Sequence, residues 1–568
     1  MKKLLLLILT IISTIGLFAN FLNEGFDGST FPPAEWRVIN NGDANTWALS
    51  NTQQYSGSGC AGIYWAGATA AHDDWLITPQ LIPSADNYMF IFGAKNYTTL
   101  WTDRFNVKLS TTGNNAADFT VTLASNVTPI IEYQGYHYDL SAYIGRPVYI
   151  AIQAISTGGY WLLIDQVTGP DLAPGTADNP IQITTAAELN NIRNYLGTGF
   201  ANKYFKLMND IDLTSYLAPG GAGYTAWGTN GWLPIGNSSN YFYGHFDGNN
   251  HMISNLGIHN YGAYHGLFGV TGVGSIVKNL ALSSSCYILG DGDTGSVVGN
   301  NKGTVRNCSS AATINIGNAT TGGGVVGNNL GTLTKSSFSG TITRSGSGVS
   351  CNKIGGVAGN NETGAVIDSC YSTGSISGNL WNGGLVGWNN GTINRSYSTG
   401  SVTGADNSQG GLVGQNNGII SNCYSRASAS GGNAIGGLVG YQGSGAISYC
   451  FATGTTAGSS RGGLVGALSA GTVTSSYWDT QTTGLAVSSG SAASFGKTTA
   501  EMKLQSTYVG WDFAGETVNG TNDYWAMAAL ANDGYPFLNM EYSTPKSVVL
   551  VSPLDGAKGV WHFDYTLS

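Results

Sequence analysis

The chain has 568 residues, of which only 10% are charged, and its formal net charge at pH 7 is −9. So few basic residues exclude the extended positive surface that a nucleic acid requires of its partner. The 84 glycines against 14 prolines indicate turn-rich β structure, and the length predicts several domains.

Residues 1–19 have the layout of a cleavable secretory signal. Lys2 and Lys3 precede an apolar run from Leu4 to Phe18, and the small residue Ala19 follows. No later segment reaches the roughly 20 apolar residues that a membrane-spanning helix needs. We therefore expect a secreted protein, extracellular or on the cell surface, with no transmembrane segment once the signal is removed.

Residues 20–172 are predicted to form a β-sandwich. Apolar and polar side chains alternate in Arg104–Ser110 and Val148–Ala154, and turns rich in Gly, Asn and Thr separate such runs. Most of the tryptophans should lie in the core, although some are candidates for stacking on sugars. These are Trp36, Trp47, Trp65, Trp75, Trp101 and Trp161.

Residues 173–264 form a linker and lead-in segment, and a repeat array at 265–480 follows. The linker precedes a short helix with a capping box, Thr185 and Glu188. A glycine-bracketed apolar motif then recurs eight times at intervals of 26 to 32 residues, beginning at positions 265, 295, 323, 355, 383, 410, 436 and 462. A fixed period of this length without a helical pattern predicts that each repeat is one coil of a parallel β-helix.

The repeat at 383–404 predicts how one coil is built. It divides into three short strands, with Leu385, Ile393, Ser396 and Val402 pointing inwards. Asn389 predicts a corner at which asparagine adopts left-handed backbone and stacks on its counterparts. Those counterparts are Asn301, Asn329, Asn361 and Asn416. The glycine pairs allow the wall to bend without Cβ clashes.

Two further columns emerge when the repeats are aligned. The first contains small side chains and predicts inward stacking rather than disulfide bonds: Cys308, Cys370, Cys423 and Cys450, with Ser337, Ser396 and Ser476. The second contains aromatic rings: Phe338, Tyr371, Tyr397, Tyr424, Phe451 and Tyr477. Strand alternation predicts that the rings face outwards as a ligand-binding platform. They are otherwise a stabilising external ladder, or they pack inwards where a corner breaks the alternation.

The repeats resemble the GLUG motif family of bacterial surface proteins. The flanks at Trp232–Gly236 and Gly244–Leu256 resemble the lead-in coils of such proteins, and Gly510–Phe513 and Gly534–Leu538 resemble their closing cap, here 481–541. Residues 542–568 look like the start of a truncated Ig-like or fibronectin-like module.

The front region resembles the cleaved-adhesin, or choice-of-anchor J, domains of secreted bacterial proteins. The resemblance rests on Asn23–Phe26, Asp74–Pro79, Tyr138–Ser141 and Leu163–Val167. It implies a jelly-roll sandwich that holds calcium, with Glu24, Asp74 and Asp165 as metal ligands. Gln166 stands where the family usually has a second Asp.

No catalytic residue is predicted. None of the histidines lies in a metalloprotease motif, and the charges of residues 295–470 are scattered singly, without the paired carboxylates of a glycan-cleaving β-helix. We therefore expect an all-β surface adhesin, a jelly-roll followed by a parallel β-helix, that binds extracellular glycan or a surface protein of a host or neighbouring cell. The alternatives are a structural spacer or coat protein without a specific ligand and, with less support, a glycan-cleaving enzyme.

Overall fold

The structure is a computed structural model that describes residues 21–33, 35–64, 71–177, 179–259, 262–317, 321–344, 353–491 and 495–542. The chain forms two compact units, and the division falls between Ile181 and Gln182. The predicted signal at 1–19 lies outside the described residues, as does the predicted module at 542–568 except for its first residue. Within the described part of the chain, no helix is both long and apolar enough to cross a bilayer.

The first unit is a sandwich of two antiparallel sheets. The seven-stranded sheet contains Phe21–Glu24, Ala48–Ser50, Cys60–Tyr64, Leu81–Ile82, Met89–Asn96, Gln134–Asp139 and Trp161–Leu172. The five-stranded sheet contains Arg37–Asn40, Asp74–Ile77, Phe105–Ser110, Val121–Val127 and Tyr149–Ala154. Short 3₁₀ helices lie at Ala116–Asp118 and Ser141–Tyr143.

Alternating side chains of the two sheets form the core of the sandwich. Leu162 and Ile164 point inwards from one sheet, and Ile150 and Ile152 point inwards from the other. The predicted role of tryptophan differs from residue to residue: Trp36 and Trp47 join this core, Trp75 packs in a separate cluster with Phe119, and Trp101 is exposed. Trp65 lies outside the described residues.

The second unit is a β-solenoid whose strands pair in parallel from coil to coil, which confirms the predicted parallel β-helix. Its strands form four walls, whereas the sequence predicted three strands in each repeat. Wall 1 contains Ile181–Ile183, Tyr204–Leu207, Ile211–Asp212, His245–Ser254, Ile276–Leu282, Thr304–Arg306, Ser309–Ser310, Thr332–Thr334, Ser337–Phe338, Val366–Asp368, Tyr371–Ser372, Thr392–Asn394, Tyr397–Ser398, Ile419–Ser421, Tyr424–Ser425, Ala446–Ser448, Phe451–Ala452, Thr472–Thr474, Tyr477–Asp479 and Gly496–Lys497.

The other three walls have eight strands each. Wall 2 contains Gly257–His259, Tyr287–Gly290, Thr313–Ile316, Thr341–Arg344, Ser375–Gly378, Ser401–Gly404, Ser428–Ser430 and Thr456–Ala457. Wall 3 contains Tyr264–His265, Asp293–Gly295, Thr321–Gly323, Lys353–Gly355, Asn382–Gly383, Gln409–Gly410, Ile435–Gly436 and Arg461–Gly462. Wall 4 contains Phe268–Thr271, Val298–Asn301, Val326–Asn329, Ala358–Asn361, Val386–Asn389, Val413–Asn416, Val439–Gln442 and Val465–Leu468.

Short helices flank the coils, and a small hairpin follows them. The α-helices are Ala186–Asn191, Thr214–Leu217, Ala222–Trp227, Thr480–Thr483 and Thr499–Met502. The 3₁₀ helices are Ile192–Asn194, Thr198–Phe200, Gly228–Asn230, Gln505–Thr507, Asn532–Gly534 and Asn539–Tyr542. The hairpin pairs Trp525–Ala526 with Phe537–Leu538. The predicted capping box is present, since Thr185 and Glu188 bond to each other's backbone N–H.

The inward residues of the predicted coil are buried as expected. Leu385, Ile393 and Ser396 are fully buried, and Val402 is almost so. A Cβ on Gly383 would lie 2.0 Å from the carbonyl oxygen of Val386, so the wall can bend at this point only with glycine.

A continuous ladder of buried side-chain amides runs along wall 4. Each Nδ2 donates to the Oδ1 of the next coil at 2.7–2.9 Å, from Asn301 through Asn329, Asn361 and Asn389 to Asn416. Stacking is therefore confirmed, but the predicted left-handed backbone is wrong for this column. That conformation belongs to wall 1, at the residue before the Cys/Ser column, where φ lies between 43° and 57° for Asn279, Asn307, Lys335, Ser369, Arg395, Asn422, Tyr449 and Ser475.

The Cys/Ser column lies inside wall 1 with one correction of register. Ser336, not Ser337, occupies the column, because Ser337 pairs with Tyr371 in the next coil. The thiols donate to carbonyl oxygens of the wall, as Cys423 does to Ser421 at 3.1 Å, and the described cysteines are free. Burial raises the pKa of the Cys308 and Cys370 thiols to about 12.

The segment after the last coil folds back onto wall 1. Met502, Tyr508, Trp511, Trp525 and Leu538 form a buried cluster against the wall. Below this C-terminal cap, the hydroxyl of Tyr424 lies 3.1 Å from a carboxyl oxygen of Glu541, and the backbone N–H of Leu538 donates to the other at 2.7 Å. Burial raises the pKa of Glu541 to about 7.

Replacing Asn389 by Leu should lower the free energy of unfolding of the solenoid by about 3 kcal/mol. The substitution leaves the Nδ2 of Asn361 and the Oδ1 of Asn416 without their strongest partners inside the protein. Urea denaturation followed by circular dichroism measures the change. Asn433→Leu is the control because Asn433 is exposed on the same solenoid. An equal loss in both variants would contradict the stabilising role of the ladder.

The cap should lose stability as the pH rises. The folded-state pKa of Glu541 is about 7 against an ordinary 4.5, so the protonated carboxyl favours folding. This contribution is complete below pH 4.5 and is lost as the pH rises through about 7; it is on the order of 3 kcal/mol. Glu541→Gln should remove this pH dependence from tryptophan-monitored unfolding, whereas the exposed control Glu132→Gln should keep it. Identical pH profiles for wild type and Glu541→Gln would refute the assignment.

Candidate ligand and cation sites

The predicted aromatic platform is a ladder of stacked rings whose end is buried. Tyr371, Tyr397, Tyr424 and Phe451 stack with ring centroids 4.8–5.0 Å apart and nearly parallel planes. Tyr424, Phe451 and Tyr477 are nevertheless at most 6% exposed. The outward direction was predicted correctly, but the C-terminal cap covers these rings, so they are core rather than a binding surface.

Phe338 does not belong to the ladder. It pairs with Ser372, one position beyond the aromatic column, and it is fully buried. Its ring fills the space that a Cβ on Gly324 would enter. The error came from the same one-residue shift of register that displaced Ser337.

Tyr371 begins the ladder at the edge of a shallow groove on wall 1. Its neighbour in the preceding coil is Ser337, so no ring stacks on that side. Asn279, Asn307 and Lys335 also line the groove. Of the predicted ligand-binding residues, only Tyr371 and Tyr397 keep partly exposed rings.

Two of the three predicted calcium ligands, Glu24 and Asp165, lie close together in the sandwich. Asp27 is their third neighbour, since its charge acts on both. The first strand brings Glu24 into this position by pairing with Val167, two residues beyond Asp165. This triad of carboxylates, Glu24, Asp27 and Asp165, is the acidic site of the first unit.

Backbone donors hold the carboxylates of the acidic site in place. The Oδ2 of Asp165 accepts from the N–H groups of Tyr55 and Ser56, and Glu24 accepts from Phe26 at 2.6 Å. Burial raises the pKa of Glu24 and of Asp165, and the charge of Asp27 raises both further. Ca²⁺ prefers oxygen ligands, and the three carboxylates offer them. A bound ion would neutralise their mutual repulsion and link the three segments.

Asp74 does not join this site. Its strand belongs to the five-stranded sheet, whereas Asp165 lies in the seven-stranded sheet. The Oδ2 of Asp74 lies instead 3.1 Å from Nδ1 of His72, and the Oδ2 of Asp43 lies 3.5 Å from the same nitrogen. The resemblance placed Asp74 among the ligands by its motif, but only the assignment of strands to sheets shows which carboxylates meet. The sequence analysis did not predict a role for His72, although a histidine two residues before Asp74 was a usable signal.

The sandwich also has an exposed aromatic patch, which consists of Tyr64, Tyr97, Tyr160 and Trp161. Tyr64 and Tyr97 are 37% and 47% exposed, and each lies with its ring centroid 5.4 Å from that of Tyr160. Trp161 pairs with Tyr64 across neighbouring strands and has its centroid 5.0 Å away. The loop that follows Tyr97 also contains Trp101, which is 58% exposed. The sequence marked the two tryptophans but not the tyrosines, which meet only through strand pairing.

Wall 1 shows isolated ion pairs rather than paired carboxylates. Lys278 lies 3.0 Å from Asp247, and Arg395 donates two hydrogen bonds to Asp368. Glycoside hydrolysis ordinarily needs two carboxyl groups across one bond. In the described residues, the three potential metal ligands whose ligand atoms all lie within 4.8 Å of one another are Asp43, His72 and Asp74, in the first unit.

Comparisons with known proteins match both units. Residues 19–168 match the model of the Cleaved Adhesin Domain, and residues 431–457 match that of the GLUG motif. Both resemblances seen in the sequence are thereby confirmed.

Individual relatives cover only part of the chain. A putative Gly-rich membrane protein of Evansella cellulosilytica is 45% identical over 139 residues, which are 24% of this chain and 15% of that protein. Hemagglutinin A of Porphyromonas gingivalis is 30% identical over 175 residues, which are 26% of this chain and 7% of that protein. The K1 cleaved adhesin domain of Lys-gingipain from the same organism aligns over 27% of this chain and 99% of its own, with 22% identity and a TM-score of 0.23. The chain thus spans only a small part of the curated relatives it matches.

Calcium should stabilise the first unit through the acidic site. At a hundredfold excess over Kd, an ion that binds only the folded form adds about 2.7 kcal/mol to the free energy of unfolding. Calorimetry of the purified chain, first with Ca²⁺ and then with chelator, should show a transition that falls on chelation. Asp165→Asn should abolish the difference, whereas Asp86→Asn, at an exposed site, should preserve it. Equal melting temperatures with and without Ca²⁺ would show that the three carboxylates hold no ion.

Proposed function

We propose that this chain is a cell-surface adhesin whose sandwich binds extracellular glycan through the aromatic patch, and whose solenoid is the scaffold that displays it. The observation that carries the proposal is the patch itself. Tyr64 and Tyr97 are 37% and 47% exposed at the ends of strands that both pair with Trp161–Leu172, and Trp101, which is 58% exposed, lies in the loop that follows Tyr97. Exposed aromatic groups of this kind mark interaction sites in soluble proteins.

The chemistry of the patch favours sugar rings as ligands. Pyranose rings present flat C–H faces that pack on aromatic rings, and their hydroxyl groups need polar partners at the rim. Tyrosine hydroxyls supply such partners. Lys95 lies opposite Leu163, two residues from Trp161 on the same strand, and donates to the side chain of Gln53 at 2.9 Å, so it adds a polar rim.

The matched families support adhesion at a surface. The first unit matches a domain named for adhesins, and one relative carries the name Hemagglutinin A. The formal charge of −9 argues against nucleic acid as a partner. We expect the acidic site to take Ca²⁺ as a structural ion, and we expect no catalysis, because the ion pairs of wall 1 do not form a pair of facing carboxylates.

A glycan array probed with the purified chain tests the proposal. Trp101→Ala and Tyr97→Ala should each weaken binding to the preferred glycan at least tenfold, because each removes a stacking surface. Tyr287→Ala removes a ring of similar exposure, 37%, from the solenoid and should leave binding unchanged. If only the Tyr287 variant lost binding, the glycan-binding site would lie on the solenoid instead. Absence of binding to any glycan or cell surface would favour the spacer or coat function.

A further inference from the structure

A second polar cluster lies at one end of the five-stranded sheet. Strand pairing aligns Asn40, Asp74, Ala154 and Phe105 in one row. Asp43 follows Asn40 by three residues, His72 precedes Asp74 by two, and Asp103 precedes Phe105 by two. Four potential metal ligands therefore leave neighbouring strands at the same end.

Three of these side chains converge within the interior of the domain. The ligand atoms of Asp43, His72 and Asp74 all lie within 4.8 Å of one another. The side chains of His72 and Asp74 are fully buried, and that of Asp43 is 7% exposed. The Nδ1 of His72 lies 3.1 Å from Asp74 and 3.5 Å from Asp43. Ligand atoms around a tetrahedral ion with bonds near 2.1 Å are about 3.4 Å apart, so this spacing suits a metal as well as a hydrogen bond.

Several polar atoms of the cluster lack a hydrogen bond. Among the described residues, Asp74 Oδ1, His72 Nε2 and Asp43 Oδ2 are buried and make no hydrogen bond. The remaining contact of Asp43, to the N–H of Asn45 at 2.7 Å, uses its other oxygen. Buried polar atoms are satisfied in the great majority of cases, so three orphans on converging side chains indicate a missing partner.

A third carboxylate, that of Asp103, lies near His72 at the same end of the sheet. Asp103 is 1% exposed, and burial raises its pKa to about 6, although the charges of His72 and Arg104 act in the opposite direction. The Tyr160 N–H and the Ser156 hydroxyl approach Asp103, but neither forms a hydrogen bond of good geometry with it. The carboxylates of Asp43, Asp74 and Asp103 thus lie near one imidazole.

Backbone contacts preorganise the cluster. The N–H of His72 donates to Ser156 at 3.0 Å, and the indole of Trp47 donates to the backbone oxygen of Asp74 at 3.0 Å. The loop that carries Asp43 lies so close to the strand that a Cβ on Gly42 would be 2.4 Å from the nitrogen of Asp73. The three side chains are therefore held without the help of an ion.

We propose that Asp43, His72 and Asp74 form a binding site for a transition-metal dication of the Zn²⁺ class. An imidazole among carboxylates selects such ions over Ca²⁺, which prefers six to eight oxygen ligands. The site is separate from the acidic site of Glu24, Asp27 and Asp165. It does not depend on the proposed glycan binding.

Metal binding by the purified, tag-free chain tests this site. After treatment with chelator and dialysis, Co²⁺ should bind with the visible absorption of a site with nitrogen and oxygen ligands, and Zn²⁺ should displace it. His72→Asn retains a donor near Asp74 but removes the imidazole, and Asp74→Asn removes a charged ligand. Each should weaken Co²⁺ binding at least tenfold. The control His137→Asn removes an exposed histidine of the same sandwich and should keep the spectrum.

The alternative is a closed ion-pair network in which a protonated His72 bridges two carboxylates. Wild-type protein without the spectrum, or a spectrum that His72→Asn leaves intact, would overturn the proposal in favour of that network. Displacement of Co²⁺ by excess Ca²⁺ alone would overturn the choice of metal. If Asp74→Asn fails to fold, the comparison of His72→Asn with His137→Asn decides the outcome.

Discussion

Each coil of the solenoid depends on hydrogen bonds that it makes to the next coil. The strands of walls 1 to 4 are two to ten residues long and find their backbone partners in neighbouring coils. The amide ladder from Asn301 to Asn416 repeats this dependence with side chains, because each amide both donates to one coil and accepts from another. Since a strand so short is not stable by itself, stability accumulates along the stack.

Stacking from coil to coil also produces the aromatic ladder, which the C-terminal cap then buries. A stack of rings on the outer face of wall 1 gains contact along its length but leaves a large apolar surface facing water. Trp511 and Trp525 of the C-terminal cap pack onto Phe451, and Glu541 meets the hydroxyl of Tyr424. Burial raises the pKa of that carboxyl to about 7, so its protonated form favours the folded cap. The covered rings are structural, and the exposed aromatic groups that favour binding lie in the other unit.

Most of the potential metal ligands of the sandwich lie at strand ends and in loops, which the packed core holds in place. Glu24 and Asp165 meet because the first and last strands pair, whereas Asp43, His72 and Asp74 meet at one end of the other sheet. The two clusters differ in donor chemistry: one offers oxygen ligands only, and the other adds an imidazole. Such a division between a rigid scaffold and variable loops is common in binding domains, because loops can change without loss of the core.

The sequence by itself determined the two-part all-β architecture, the repeat period, the buried residues of each coil and the stacking of asparagine, because periodic patterns report which side chains point inwards. It also identified the aromatic column and its outward direction. A one-residue shift at 335–338 misassigned Ser337 and Phe338, because small and aromatic residues follow each other there without a unique alignment. Only the tertiary structure decided that the cap buries Tyr424 and Phe451, that Asp74 meets His72 and Asp43 rather than Asp165, and that Tyr64 meets Tyr160. These contacts join segments far apart in the chain, and no local pattern of residues encodes which distant strands will become neighbours.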